Sequence, residues 1–559
     1  MKVKFLHIAL IICLSSVVYF NSLKAPFQFD DLFTIAQNPS IRSLDLISDS
    51  FALLSADFFA RPVLYLTLKI NYYFGGIDTP GYHLFNVSLH IGISILIYVF
   101  VSAIVKQTYT KEYKHLPLFS SLIFAVHPIN TEAVTYIISR SILLSTFFGL
   151  LMMLFFIKGM EAINKRQEAR GKRQEARGKK QETRDKRQDS FLLLTSYFLL
   201  LASCLCLILS LGSREDAAIF PILLIIYYYF FLKPQDIAII SKKNIGIFAI
   251  VLLVVLAYPL TRYIIKGGMG ISENMKDFTP LTYFMTEINV IVYYYIRTIL
   301  FPFNFNIDPD IRAFSGVDTS TVFTIFFIFF LFFVFRKYRI LFFSLLWFFI
   351  TLTPTSSIIP LLDAAAEHRV YLPMVGGAIF IAGCLSKLRV QSFELRVKSQ
   401  KLSVTLICLV ILFFSIGVIK RNYVWKSAVS IWEDAARKSP FKARVYNALG
   451  LAYQREKGDS EKALEHYNMA IAIQPLYADA RINKGVTLIK QEKLEYALSE
   501  FNMALILKPN SPEIHNNMGI IYSKKGDLNR AVEEFQLALK INPNYEEARK
   551  NLQTVLNRQ

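Results

Sequence analysis

Runs of about twenty apolar residues recur along this chain, and a run of that length is what an α-helix needs to cross the hydrocarbon core of a bilayer. They lie near 5–23, 84–105, 116–126, 141–157, 191–211, 217–232, 245–261, 319–335, 340–358, 374–386 and 403–419. That makes about eleven candidate spans, the shorter ones needing flanking residues to cross. With 54% hydrophobic residues over 559 positions, a single soluble domain is excluded. The expected class is all-α, with a polytopic helical membrane domain over 1–421.

The formal charge of +20 would point to nucleic acid in a soluble protein. Here the excess sits in loops between spans, where it sets orientation, and no nucleic-acid partner is expected. Lys106 to Lys114, the 158–190 block, Lys233 to Lys243, Arg336 to Arg339 and Lys387 to Lys401 all fall on the cytoplasmic side if 280–303 does not cross. Residues 280–303, broken by Glu287, Arg297 and Pro302, are therefore read as an embedded or interfacial helix on the outer side. Lys2 and Lys4 precede the first apolar run and no small-x-small cleavage site follows it, so it is expected to stay as a first helix starting in the cytoplasm.

Within the 158–190 block, Lys165 to Gly171 is repeated at 172–178 and, degenerately, at 179–185. Mixed charge with no apolar face reads as a solvated cytoplasmic linker rather than a lipid-binding patch. All five cysteines fall in apolar segments without paired spacing, which argues against disulfides or a cysteine metal site.

From residue 440 the character changes. Pro440, Pro475, Pro509 and Pro543 recur at intervals of about 34 residues. Between them run Gly450/Tyr453/Ala463/Tyr467/Ala470, Gly485/Leu488/Ala497/Phe501/Ala504 and Gly519/Tyr522/Ala531/Phe535/Ala538. Small residues let paired helices approach, large ones fill the gap, and the pattern resembles the tetratricopeptide repeat. Ala428, Trp432 and Ala435 repeat the second-helix positions. Residues 422–559 are therefore expected to form an α-solenoid of a half repeat, three repeats and a cap helix over 545–558.

Polar clusters punctuate the apolar runs on the expected outer side. Phe29-Asp30-Asp31 with Asn38 is the first. Arg61-Pro62 with Gly81-Tyr82-His83, Asn86 and His90 is the second. His127-Pro128, Glu132 and Arg140 make the third, Glu367 to Pro373 the fourth, and Arg214-Glu215-Asp216 an additional candidate. Ionisable groups at membrane depth are costly unless paired or wet, so their gathering on one side points to a site.

In this order, Phe-x-Phe-Asp-Asp, Arg-Pro, Gly-Tyr-His-x-x-Asn-x-x-x-His, His-Pro-x-x-Thr-Glu-Ala-Val, Glu-His-Arg-x-Tyr-Leu-Pro and the terminal repeats resemble the transmembrane and tetratricopeptide-containing protein O-mannosyltransferases and their bacterial relatives. The resemblance implies a family C glycosyltransferase fold that moves a sugar, mannose by the family's name, from a polyprenyl-phosphate donor to an outer-face acceptor. It also implies that the acidic pair carries the catalytic carboxylate. The chain departs from the pattern at His368, where many relatives have an arginine-like residue, and by a one-residue insertion near Gly458.

An acceptor hydroxyl has a high pKa and needs a general base as it attacks the sugar C1. Asp30 is the first choice and Asp31 the second. A lipid-phosphate leaving group needs cations more than a proton donor, which nominates Arg61, Arg140, His368 and Arg369. His83, His127, Glu132 and Glu367 are candidates for positioning sugar or acceptor. No cofactor is called for; a divalent ion bridging Asp31 and phosphate fits the chemistry, although no strong metal-ligand spacing occurs.

The expected partners are the lipid-linked sugar, membrane lipid and an extracytoplasmic protein or peptide, the last bound by the repeats. A lipid-linked sugar transporter would place charges near the midplane of inverted repeats, and no such halves are evident. A membrane-anchored scaffold would leave the acidic pair unexplained. The one sequon, Asn86-Val87-Ser88, lies in a span, which favours a bacterial plasma membrane, with the endoplasmic reticulum as the eukaryotic counterpart.

Overall fold

The computed structural model describes residues 2–42, 61–108, 113–175, 182–232, 279–311, 319–356, 363–387 and 393–558. Every regular element among them is helical, and they divide into two compact units. One comprises 1–305 and 311–423; the other comprises 306–310 and 424–559.

Among the described residues of the first unit, six helices are long and apolar enough to cross a membrane: Val3–Ser22, Thr79–Thr108, Ile137–Arg166, Ser190–Leu211, Glu215–Leu232 and Val404–Val424. Four shorter apolar helices join them at Leu116–Val126, Thr319–Phe335, Arg339–Leu352 and Pro373–Lys387. The expected span at 245–261 and the basic loop at 233–243 lie outside the described residues. One feature of the sequence reading changes: helices extend through much of the basic block, one reaching Glu175 and the next starting at Glu182. Glu161 there accepts from Lys106 Nζ at 3.3 Å and Gln107 Nε2 at 3.2 Å.

Helix ends follow local chemistry. Pro117 opens the 116–126 helix, where its missing N–H is not needed, and Pro128 closes it by forcing His127 to an extended ψ of 125°. The apolar core gathers around Trp347, Phe100, Tyr227 and Phe343, with Trp347 Nε1 donating to the Leu372 carbonyl at 3.1 Å. A Cβ at Gly376 would lie 2.5 Å from the Ser344 carbonyl oxygen, so this glycine sets how closely the 373–387 helix meets 339–352. The helix read as non-crossing is continuous from Pro280 to Leu300, with a π-turn at Ile291–Ile296. A further helix, Pro62–Gly75, not among the expected spans, lies between the first two long ones in chain order.

The second unit consists of a lone helix Ala428–Lys438, three helical pairs and a final helix Glu546–Leu556. A Cβ on Gly450, Gly485 or Gly519 would meet the ring of Tyr467, Phe501 or Phe535 at 2.6–2.7 Å. The 34-residue pattern therefore records ring-on-backbone contact between paired helices. The extra residue near Gly458 is absorbed as a π-turn over Tyr453–Lys457, closed by Gly458 at φ 64°. That turn presents Glu456, whose carboxylate accepts from the free N–H groups of Ala428 and Val429 at 2.7 and 3.2 Å.

Residues 306–310 belong to this unit through a buried clasp. Asp308 accepts a fork from Arg444, 2.7 Å from Nε and 2.5 Å from Nη2, and a third donor, Lys442 Nζ, at 2.5 Å. Asn306 Nδ2 donates to Ser439 Oγ at 2.8 Å, and that hydroxyl donates to the Asp308 carbonyl at 3.0 Å.

Candidate functional site

The two adjacent aspartates have different fates. Asp31 is 1% exposed, its Oδ2 accepting from Gln28 N at 3.1 Å and its Oδ1 from Ile138 N at 2.9 Å. Burial pushes its carboxyl up to about 7, the backbone donors offsetting only part of that penalty. Both oxygens are thus committed to holding the 25–31 loop against 136–138.

Asp30 instead is exposed, and its backbone N–H donates to Tyr136 Oη at 3.1 Å. The preceding Phe29 sits at φ 49°, a left-handed conformation that a bulky residue adopts only when its surroundings impose it. The Phe29 ring packs edge-on against Tyr136 with centroids 5.6 Å apart. Strain at Phe29, the Asp31 anchor and Tyr136 together fix where the Asp30 carboxylate is presented.

His83 pins the start of the same loop through Nε2 to the Ala25 carbonyl at 2.9 Å. One step along, Arg140 is fully buried and spreads its donors over neutral acceptors. Nε reaches Asn86 Oδ1 at 2.8 Å, Nη1 the Thr67 carbonyl at 3.2 Å and Nη2 the Tyr82 carbonyl at 3.1 Å. The guanidinium also lies 4.4 Å from the Phe85 ring centroid. Expected as a phosphate contact, Arg140 in this structure joins three helices instead.

His127 is also used internally. Its Nδ1 accepts from Ile129 N at 3.2 Å and its Nε2 donates to the Ile299 carbonyl at 2.9 Å. Burial pushes it down to about 4, which keeps the imidazole neutral. The His-Pro motif is a helix corner that ties 127–130 to the end of the 280–300 helix, and neither ring nitrogen remains for sugar or acceptor.

Further contacts join groups far apart in sequence. His368 Nδ1 lies 2.5 Å from Glu132 Oε1, with Glu132 almost fully buried and His368 about one quarter exposed. Glu367, expected to position sugar or acceptor, is fully buried and accepts from Arg421 Nη2 with both oxygens at 3.3 Å, while Tyr294 Oη reaches Oε1 at 3.4 Å. Arg369 Nη2 donates to the Asp363 carbonyl at 2.7 Å, and its Nη1 is 4.0 Å from Glu287 Oε1. Arg61, 28% exposed, pairs with Glu215 at 3.4 Å, and Arg214 pairs with Asp216 at 2.7 Å.

The structure therefore gathers Asp30, Asp31, His83 and Arg140 around the 25–31 loop and the 131–140 turn. It links that turn to 367–369 through Glu132 and His368. Arg61 precedes a helix whose Val63, Leu64 and Leu68 share an apolar cluster with Phe27, Tyr82 and Ile137. Groups that face solvent are Asp30, His368 and Arg61. Asp31, His127, Arg140 and Glu367 are buried and committed to the protein itself.

Sequence reading did not assign Tyr136, Tyr294, Asp363, Glu287 or Arg421 to the site. Two of them carry a signal in retrospect: Glu287 interrupts an apolar helix, and Arg421 ends one.

A tetratricopeptide repeat family model matches residues 512–556, and a second matches 425–478 and 453–512. Along most of its length the chain is similar to protein O-mannosyl-transferases. It is 24% identical over 497 residues to protein O-mannosyl-transferase F38B6.6 of Caenorhabditis elegans, covering 84% of this chain and 63% of that protein. It is 23% identical over 519 residues to mouse protein O-mannosyl-transferase TMTC3, covering 87% and 53%. Against human protein O-mannosyl-transferase TMTC4 the identity is 33% over 169 residues, covering 27% and 22%. The chain thus spans between half and two thirds of the length of F38B6.6 and of mouse TMTC3.

Proposed function

We propose that this membrane protein is a glycosyltransferase that moves a sugar, mannose by analogy with its relatives, from a polyprenyl-phosphate donor to a hydroxyl of an extracytoplasmic polypeptide. The observation that carries the reading is the divided acidic pair. Asp31 spends both oxygens holding the loop, while Asp30 is exposed on a strained backbone that fixes its direction.

In the proposed step the Asp30 carboxylate takes the proton of the acceptor hydroxyl as its oxygen bonds to the sugar C1. The bond from C1 to the phosphate oxygen breaks, and its electron pair leaves on the lipid phosphate. That anion calls for donors at the surface. Glu132 holds the His368 ring by Nδ1, leaving Nε2 to serve a phosphoryl oxygen, and the part-exposed Arg61 is the cation we assign beside it. Arg140 we assign as a positioning residue, because its donors serve Asn86, Thr67 and Tyr82.

The orientation rests on the positive-inside pattern and sets 422–559 on the outer face, where the solenoid binds the acceptor chain and raises its local concentration. Reporter fusions after Arg421 and within 165–189 are expected in opposite compartments; both in the cytoplasm would overturn the placement.

The catalytic assignment is tested by Asp30→Asn in purified protein supplied with polyprenyl-phosphate mannose and a peptide acceptor. The expected outcome is a loss of about two to four orders of magnitude in turnover with membrane insertion intact. Undiminished turnover would remove Asp30 from the mechanism.

A further inference from the structure

One buried pair in the first unit is left open. Glu287 is 1% exposed, and neither of its carboxylate oxygens meets a hydrogen-bond partner among the described residues. Arg369 Nη1, 4.0 Å away, is also without one, although Nη2 of the same guanidinium is fixed by the Asp363 carbonyl. The hydroxyls of Tyr283 and Ser356 are near enough to stabilise the carboxylate charge, although neither meets hydrogen-bond geometry with its oxygens. Buried polar atoms are nearly always satisfied, so a carboxylate and a guanidinium held apart in this way mark a place for a missing polar group.

The chemistry of the gap selects what fills it. Hydrogen bonds of about 2.7 Å to a carboxylate and about 2.9 Å to a guanidinium together exceed the 4.0 Å separation, so one oxygen placed off the line serves both groups. It must donate to Glu287 and accept from Arg369, which is what a hydroxyl does. An unprotonated phosphate oxygen has no proton to give and would meet the Glu287 charge, and a cation would meet the guanidinium. The opposite charges of the pair favour a neutral ligand.

The gap also belongs to the neighbourhood already described. Tyr295 takes the Ala366 N–H at 3.2 Å and lies within electrostatic reach of Arg369, Glu287 and Glu132. Glu132 is the partner of the surface-facing His368, and its own Oε2 is buried without a hydrogen-bond partner among the described residues. Arg369, whose side chain is 7% exposed, is adjacent in sequence to the surface-facing His368.

We propose that Glu287 and Arg369 form a subsite for a hydroxyl of the donor sugar, a role that rests on the transfer reaction proposed above and moves Arg369 from the phosphate to the sugar. In that subsite a sugar hydroxyl donates to Glu287 and accepts from Arg369 Nη1. The pair reads the sugar and is indifferent to the lipid phosphate.

The test compares binding of a short-chain polyprenyl phosphate, bare or carrying mannose or glucose, to full-length protein and to Glu287→Gln and Arg369→Lys. Wild type is expected to hold a glycosylated lipid more tightly than the bare phosphate. Each variant is expected to lose about tenfold for the glycosylated lipid and nothing for the bare one, as for one charge-assisted hydrogen bond. If one variant fails to fold, the other carries the comparison. Unchanged preference in a folded variant would mean that the gap holds only water, and equal loss for both lipids would assign the pair to the phosphate; either overturns the subsite. Wild type that does not distinguish any glycosylated lipid from the bare phosphate would instead defeat the transfer reading itself.

Discussion

Two sets of ion pairs, one from each unit, use charge in opposite ways. In the membrane unit two pairs are dry and distant in sequence: Arg421 with Glu367 across 54 positions and His368 with Glu132 across 236, each acid 4% exposed or less. In the solenoid, Lys508–Asp479, Lys525–Glu495 and Lys524–Glu492 link neighbouring repeats across 29, 30 and 32 positions, with every side chain at least one third exposed. Water screens the second set, so those pairs trim the surface. Desolvation makes the first set costly to break, so those pairs fix which helices meet.

The sharpest way to break this contrast is to remove one partner of a dry pair. Arg421→Ala leaves Glu367 buried without its cation and is expected to cost about 3–5 kcal/mol, read as a large loss of thermal stability in detergent-solubilised protein. A loss below about 1 kcal/mol would mean that water reaches the pair.

A packing change in the other unit comes next. Gly485→Ala places a Cβ 2.7 Å from the Phe501 ring, and the expected cost is about 1–3 kcal/mol, measured as a lower unfolding midpoint of the full-length protein. A neutral outcome would show that the helical pair slides apart at no cost.

Acid titration separates the units by sign. The Asp31 value lies above the ordinary carboxylate range, so folding favours its protonated form. Its contribution is present below about pH 4 and is lost as pH rises to about 7. For Asp308, burial alone would raise the value, but Arg444 and Lys442 outweigh it and hold the carboxyl below the ordinary range. Its contribution is present above that range and is lost as pH falls through it. Stability measured from pH 3 to 8 should therefore gain slope of opposite sign when Asp31→Asn and Asp308→Asn are compared with wild type; parallel curves would contradict the assignments.

The smallest effect is expected from Lys524→Ala. It removes an exposed partner of Glu492 and should shift stability by less than about 1 kcal/mol, less still in high salt. A functional counterpart sharpens the division of labour. Deleting 512–559 keeps the Asp308 clasp, yet should raise the acceptor-peptide KM more than it changes kcat, and should spare transfer to a small acceptor. Equal loss toward both acceptors in folded protein would make the repeats structural.

Legibility followed the same divide. The solenoid was readable to the residue: the glycines at 450, 485 and 519 sit against rings at 467, 501 and 535, and even the insertion near Gly458 appears as a π-turn. In the membrane unit the sequence named residues but not the contacts they make. His127 is a corner, Arg140 a latch and Glu367 half of a dry pair, while Arg421 and Glu287 went unassigned. Asp30 and Asp31 are one residue apart and indistinguishable by composition, yet one faces solvent and the other anchors a loop.

The sequence by itself determined what depends on periodicity and composition: apolar helices long enough for a bilayer, helical elements among the described residues and a terminal array of repeated helical pairs. Those properties arise from each helix meeting lipid or its immediate neighbour, so a window of a few dozen residues contains the cause. Tertiary structure alone decided which polar group meets which. Glu132 acquires its partner 236 positions away, and whether a carboxylate ends as base, anchor or ion-pair half depends on the backbone donors, cations and water that distant helices bring to it.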